Sequence, residues 1–284
     1  TLFINLSIFL GLIAIRAVTH RQRQVIVDFG RACSGLLTCA ASYEVVRMII
    51  DALPQRSYEL EMLKLDALIF GGNPSVWMES IYNPLFTEYF QLVYVGYFPI
   101  LFLVGISLFA THQHEAFNDY AFSFMLAVIV THVLYVLVPV RSPFVVASSA
   151  PYKDWIHYAK DLVGIYFADG MRASLLEATT MRYDCFPSGH TMHSLIAVFF
   201  AYKGRFKPVA WIVTVLTASI IISTLYLRYH YGVDLIIGAL GAAFFCYIGP
   251  PLRRRLDRRV TDPSPTATPR RQEARTAGNR ALEA

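Results

Sequence analysis

The stretch Trp211-Ile-Val-Thr-Val-Leu-Thr-Ala-Ser-Ile-Ile-Ile-Ser-Thr-Leu-Tyr-Leu227 carries no charged residue. A helix of about 20 apolar residues crosses a hydrocarbon core of about 30 Å. A soluble helix of that length would keep a polar stripe. The reading is therefore a membrane span, and comparable runs extend outward from it at 2–18, 30–52, 86–110, 119–140, 188–203, 207–227 and 232–251. The fold class expected is all-α, a polytopic bundle of about seven transmembrane helices. Composition agrees: 55% of residues are hydrophobic and 16% charged, where soluble domains carry about 25% charged.

The net charge of +5 does not point to nucleic acid, because the basic residues sit at the ends of apolar runs and form no aromatic-interleaved patch. Arg16, Arg21, Arg23 and Arg31 flank the first connection, Lys203, Arg205 and Lys207 fill another, and Arg253, Arg254, Arg255, Arg258 and Arg259 follow the last run. Basic short loops stay cytoplasmic. With seven spans, segments 53–85, 141–187 and the turn 228–231 fall on the opposite side. Cys33, Cys39, Cys185 and Cys246 form neither a disulfide framework nor a metal-ligand spacing. No signal peptide is visible ahead of the first run.

The expected organisation is an additional helix with a basic loop over 1–29, a membrane core over 30–251, and a basic, disordered cytoplasmic tail over 252–284, where Pro263, Pro265 and Pro269 accompany many polar residues. Gly71, Gly72 and Pro74 force a turn. Trp155, Tyr158, Ala159, Leu162 and Tyr166 recur at helical spacing, which predicts an amphipathic helix over 153–167, either a lid or an interfacial packing element. Glu44, Arg47 and Asp51 have spacings that permit an internal ion pair.

Two elements carry chemistry. In Phe186-Pro187-Ser188-Gly189-His190, Pro187 fixes the chain before a first turn and Ser188 can cap it. The N–H groups around Ser188, Gly189 and His190 then form an anion site with a histidine beside it. In Tyr229-His230-Tyr231-Gly232-Val233-Asp234, His230 and Asp234 are four apart and share one helix face. The carboxylate can fix the imidazole tautomer and leave the other nitrogen free to attack. Both elements open a helix on the same side. His193 reads as a packing residue, not a ligand. Tyr94 and Tyr97 share a helix face that either lines a head-group cavity or packs in the core.

Pro187-Ser188-Gly189-His190 with His230 and Asp234 resembles the type 2 phosphatidic acid phosphatase superfamily. Phe70-Gly71-Gly72-Asn73-Pro74 with Trp77, Tyr94-Val95-Gly96-Tyr97-Phe98 and Tyr226-Leu227-Arg228-Tyr229-His230-Tyr231 are similar to its inositol phosphorylceramide synthase-like branch. The resemblance covers roughly residues 60–250 and implies a six-helix core with an extracytoplasmic site. It further implies His230 as a nucleophile forming a phosphohistidine, Asp234 as its orienting partner, His190 as the acid, and Ser188 and Gly189 as phosphate ligands. The phosphatase members carry an arginine at the position of Thr224, so Arg228 and Arg141 become the candidate phosphate clamp. Such chemistry requires no metal or other cofactor. The implied partners are a lipid substrate, the bilayer and a polyol acceptor such as inositol. The alternatives are a lipid phosphate phosphatase with water as acceptor, or a phosphate-binding transporter without chemistry.

Overall fold

The computed structural model describes residues 56–179 and 183–261, with scattered positions between 30 and 52. The expected first helix, most of the second with the Glu44–Arg47–Asp51 group, and the chain beyond Thr261 lie outside the described residues.

Ten α-helices are assigned within 56–261: α1 (Glu59–Phe70), α2 (Pro74–Trp77), α3 (Pro84–Val95), α4 (Tyr97–Ala110), α5 (His114–Leu137), α6 (Pro143–Val146), α7 (Ala168–Thr179), α8 (Gly189–Lys203), α9 (Lys207–Tyr226) and α10 (Gly232–Thr261). Three of them, α5, α9 and the segment Gly232–Arg258 of α10, are long and apolar enough to cross a membrane, and α3 with α4 makes a fourth if the bent pair is one span. The fold is a helical membrane bundle, as the apolar runs predict.

Local chemistry sets the boundaries. Asn83 accepts the N–H of Leu85 ahead of Pro84, and Ser188 accepts that of Thr191 at the start of α8, both ordinary N-caps. α1 stops at Gly71, whose φ of 77° suits glycine. The run expected as one helix over 86–110 begins at Pro84 and bends by 49° at Gly96. Pro99 has no N–H to give to the preceding turn, which explains a break there.

α8 occupies the middle of the bundle, against α4, α5, α9 and α10. Ile196, Ala197 and Phe200 are fully enclosed with Val104, Ala210, Val213 and Ile220. α10 has 30 residues and continues through Pro250 and Pro251, so the helix does not end at the expected domain limit of 251. Past that limit Arg253 bonds Asp119, which anchors the extra turns to α5.

The amphipathic helix expected over 153–167 is absent. That segment is turns and extended chain, and the helix lies later, at α7. Its N–H groups are taken by side chains of other elements. Glu79 accepts from Ala159 and Lys160, and Glu88 accepts from Ile165, Tyr166, Phe167 and Ala168. Once these carboxylates satisfy the backbone, an i→i−4 ladder has nothing to add. Tyr166, read as part of the apolar face, is 82% exposed.

Candidate active site

The end of the bundle that carries the two histidine elements is assembled from α1, α2, residues 138–179 and 183–187, and the starts of α8 and α10. Asp66 of α1 accepts the N–H groups of Gly232 at 3.0 Å and Val233 at 2.8 Å, so the N-terminus of α10 is capped from another helix. The Phe70 to Pro74 turn presses on the same point. A Cβ at Gly232 would lie 2.5 Å from the Phe70 ring and 2.8 Å from Pro74, so only glycine fits. Asp66 is fully enclosed, and burial raises its carboxyl to about 6, opposed by the two N–H bonds.

Immediately before α10 the chain leaves α9 through Arg228, a non-glycine residue at φ 66°. Such a conformation is sparsely populated and persists where neighbours enforce it. Here Tyr229 and His230 both donate their N–H groups to the carbonyl of Thr224, which ties the position of the buried imidazole to the last turn of α9. His230 Nδ1 lies 3.3 Å from Asp234 Oδ2. The same oxygen accepts the Tyr231 N–H at 3.0 Å and the Cys185 thiol at 3.0 Å. With Nδ1 on Asp234, Nε2 is the nitrogen left for chemistry.

The two histidine elements are joined directly. Ser188 donates its N–H to the Asp234 carbonyl at 3.2 Å, and the His190 and His230 rings stand 6.0 Å apart. His190 is stacked on Tyr94 at 4.2 Å and lies 4.4 Å from Tyr97. These two tyrosines flank the bend at Gly96, so the break in the helix brings both onto one imidazole. The expected cavity residues are thus walls of the His190 position. Tyr97 also bonds His193 Nδ1 at 2.6 Å, which accounts for His193 as a packing partner.

The expected phosphate ligands fare differently. The Ser188 N–H, expected to face an anion, is occupied by Asp234, which leaves those of Gly189 and His190. Gly189 lies against the Tyr135 hydroxyl. Arg141 lies on Glu59 at 2.7 Å, and Arg228 on Glu79 at 2.9 Å with its guanidinium 3.8 Å over the Tyr158 ring. Both arginines reach this end of the bundle, and both already have a carboxylate.

Cys185, His230 and Asp234 place three potential ligand atoms within 4.8 Å of one another. Burial, then the Asp234 charge, holds the thiol well above its ordinary range. It therefore acts as a hydrogen-bond donor to Asp234, and a metal would have to displace that proton. Sequence reading missed Cys185, Asp66, Glu79 and Asp184. Burial raises Asp184 to about 6, and His230 opposes the rise. Its place one residue before Cys185 was the only signal available.

This geometry can be set against known proteins. A family model described as the PAP2 superfamily matches residues 62–248. The chain belongs to the PAP2 superfamily. The matched PAP2 region contains His190, His230, Asp234 and every described residue that touches them here. A PA-phosphatase related-family protein of Dictyostelium discoideum is 25% identical over 223 residues, covering 68% of this chain and 39% of that protein. The chain thus spans about two-fifths of that relative's length. No solved structure matches this PAP2 chain.

Proposed function

We propose that this membrane protein is a lipid phosphotransferase that works through a phosphohistidine on His230. PAP2 membership supports phosphoryl transfer or hydrolysis on lipid phosphates. The observation that carries the finer reading is the His230–Asp234 pair facing His190 across 6.0 Å at the end of an apolar bundle. Nε2 of His230 attacks phosphorus, the bond to the leaving alcohol breaks, and His190 supplies the proton to that leaving oxygen. An acceptor hydroxyl then attacks the phosphohistidine and returns its proton to His190. A spacing that admits one phosphoryl group between two imidazoles supplies proximity and proton transfer together. The N–H groups at the start of α8 contribute to the field on the phosphoryl oxygens.

The product carries a head group of the inositol-phosphate type and the acceptor is a polyol such as inositol, so the phosphatidyl group stays on His230 while the donor's own head-group alcohol leaves; this rests on the resemblance of the Phe70–Trp77, Tyr94–Phe98 and Tyr226–Tyr231 segments to the inositol phosphorylceramide synthase-like branch. Water as acceptor is the second reading, favoured by the name of the Dictyostelium relative. The test is purified protein in detergent with labelled phospholipids, with and without inositol. A new phospholipid that forms only with inositol is expected. Released phosphate regardless of inositol assigns a phosphatase, and neither product above the level of His230→Ala removes both.

We place this catalytic end away from the cytoplasm, because the basic stretches 203–207 and 253–258 lie at the far ends of α8 and α10 and basic short connections stay cytoplasmic. Cysteines introduced at Ser149 and Ser264 should then react with an impermeant thiol reagent from opposite sides of the membrane, and labelling from one side refutes the placement.

A further inference from the structure

Arg141, Arg228 and Arg172 stand at the same end of the bundle, and they are not equally paired. Arg141 and Arg228 each lie on a glutamate. Arg172, on α7, has no hydrogen bond and no ion pair among the described residues, and its Nη1 is buried without a partner. The residue is 8% exposed and its guanidinium sits 4.3 Å over the Phe144 ring. Asp169, three residues earlier on the same helix, is engaged elsewhere, accepting the Gly164 N–H at 2.8 Å. Burial draws Arg172 below the ordinary arginine value, and the like charge of Arg228 adds to that while Tyr229 and Tyr158 oppose it. An unpaired guanidinium at this depth is costly to keep, and an anion that joins it removes the cost.

The position is tied to the nucleophile by short links. The Phe144 N–H donates to the Arg228 carbonyl at 2.9 Å, so the ring beneath Arg172 is fastened to the turn that holds His230. Tyr229, an electrostatic neighbour of Arg172, has its ring 4.7 Å from Tyr94, and Tyr94 stacks on His190. Arg172 and His190 therefore flank the same tyrosine pair. Thr224 has no charge to offer, and its hydroxyl already donates to the Ile221 carbonyl.

We infer that Arg172, with Arg228 as a second guanidinium, forms the anion subsite that grips the non-reacting oxygens of the phosphoester presented to His230. This rests on the phosphoryl-transfer reading above and names the residue that holds the phosphate. Glu79 neutralises one of the two guanidiniums, so the pair keeps one positive charge for the ligand. The planar fork of Arg172 suits bidentate contact with phosphoryl oxygens, which an ammonium cannot reproduce.

The test uses the full chain in detergent as wild type, Arg172→Met, Arg172→Lys and His230→Ala. The melting midpoint is measured with inorganic phosphate, with mixed micelles of phosphatidate, and with diacylglycerol micelles as the uncharged control. Both anions should raise the midpoint of wild type and of His230→Ala, with no rise in Arg172→Met and a reduced one in Arg172→Lys. Turnover in Arg172→Met should fall by about 10²–10³. A rise with phosphatidate alone assigns the subsite to a lipid phosphoester, and a rise with inorganic phosphate as well assigns it to phosphate oxygens as such. No rise with either in wild type removes the subsite. A rise as large in Arg172→Met as in wild type overturns the inference and, should that variant not fold, so does a full rise in Arg172→Lys. Absence of turnover on every lipid would remove the transferase reading while the melting shifts still decide Arg172.

Discussion

At one end of the bundle Arg253 is held by Asp119, Asp257 and Glu115, and Arg254 adds a second contact to Asp119; at the other, Arg172 meets no carboxylate at all among the described residues. The first cluster surrounds one buried guanidinium with three carboxylates and fixes the last turns of α10 on α5. The second spreads Glu59 and Glu79 over Arg141 and Arg228 and leaves the buried Arg172 unmatched among the described residues. Charge that closes on itself serves the fold, and charge left open serves a ligand.

The contrast predicts effects of opposite kind. At the open end, His230→Ala, His190→Ala and Asp234→Asn should each reduce turnover by about 10³ or more, non-additively when combined, because they act as one unit. The amount of folded protein recovered from the membrane should stay near that of wild type. Wild-type-like turnover in His230→Ala would sink the phosphohistidine mechanism. At the closed end, Arg253→Ala should cost roughly 3 kcal/mol of stability, since it strands the buried Asp119 with Arg254 as its remaining partner. Turnover per folded molecule should be unchanged, and a loss of rate larger than the loss of folded protein would break the division between the ends.

The smallest effect concerns Asp66. Its folded value of about 6 stands above the ordinary aspartate value of 3.8, so its contribution to stability is complete below about pH 4 and is lost as pH rises to about 6. Asp66→Asn lacks that dependence. Between those pH values wild type should lose stability relative to the variant, by on the order of 2–3 kcal/mol. Parallel pH profiles of the two melting midpoints would show that the cap on α10 does not titrate.

Much of this was legible in the sequence because it depends on residues close in the chain. The spacing of four between His230 and Asp234 foretold that the two side chains meet, as they do at 3.3 Å, and the uncharged run before Arg228 gave α9 to within a residue. The turn at Gly71 and the cap at Ser188 followed from residue type alone. What escaped depends on residues far apart. Glu79 and Glu88 took the backbone donors of 159–168 across about 80 residues, so periodicity alone misassigned that stretch as helix. Asp66 caps a helix that begins 166 positions later. Arg172 looks like any helical arginine in sequence, and its missing partner is a property of three dimensions.

α8 is shorter than the helix beside it. Its 15 residues rise about 22 Å, against about 30 Å for the 20 residues of α9. The turn through Arg228 carries His230 back to within 6.0 Å of His190, in the first turn of the shorter helix. The alignment of the two imidazoles therefore hangs on the four residues between α9 and Tyr231, and one residue inserted there would part the rings while leaving every span intact.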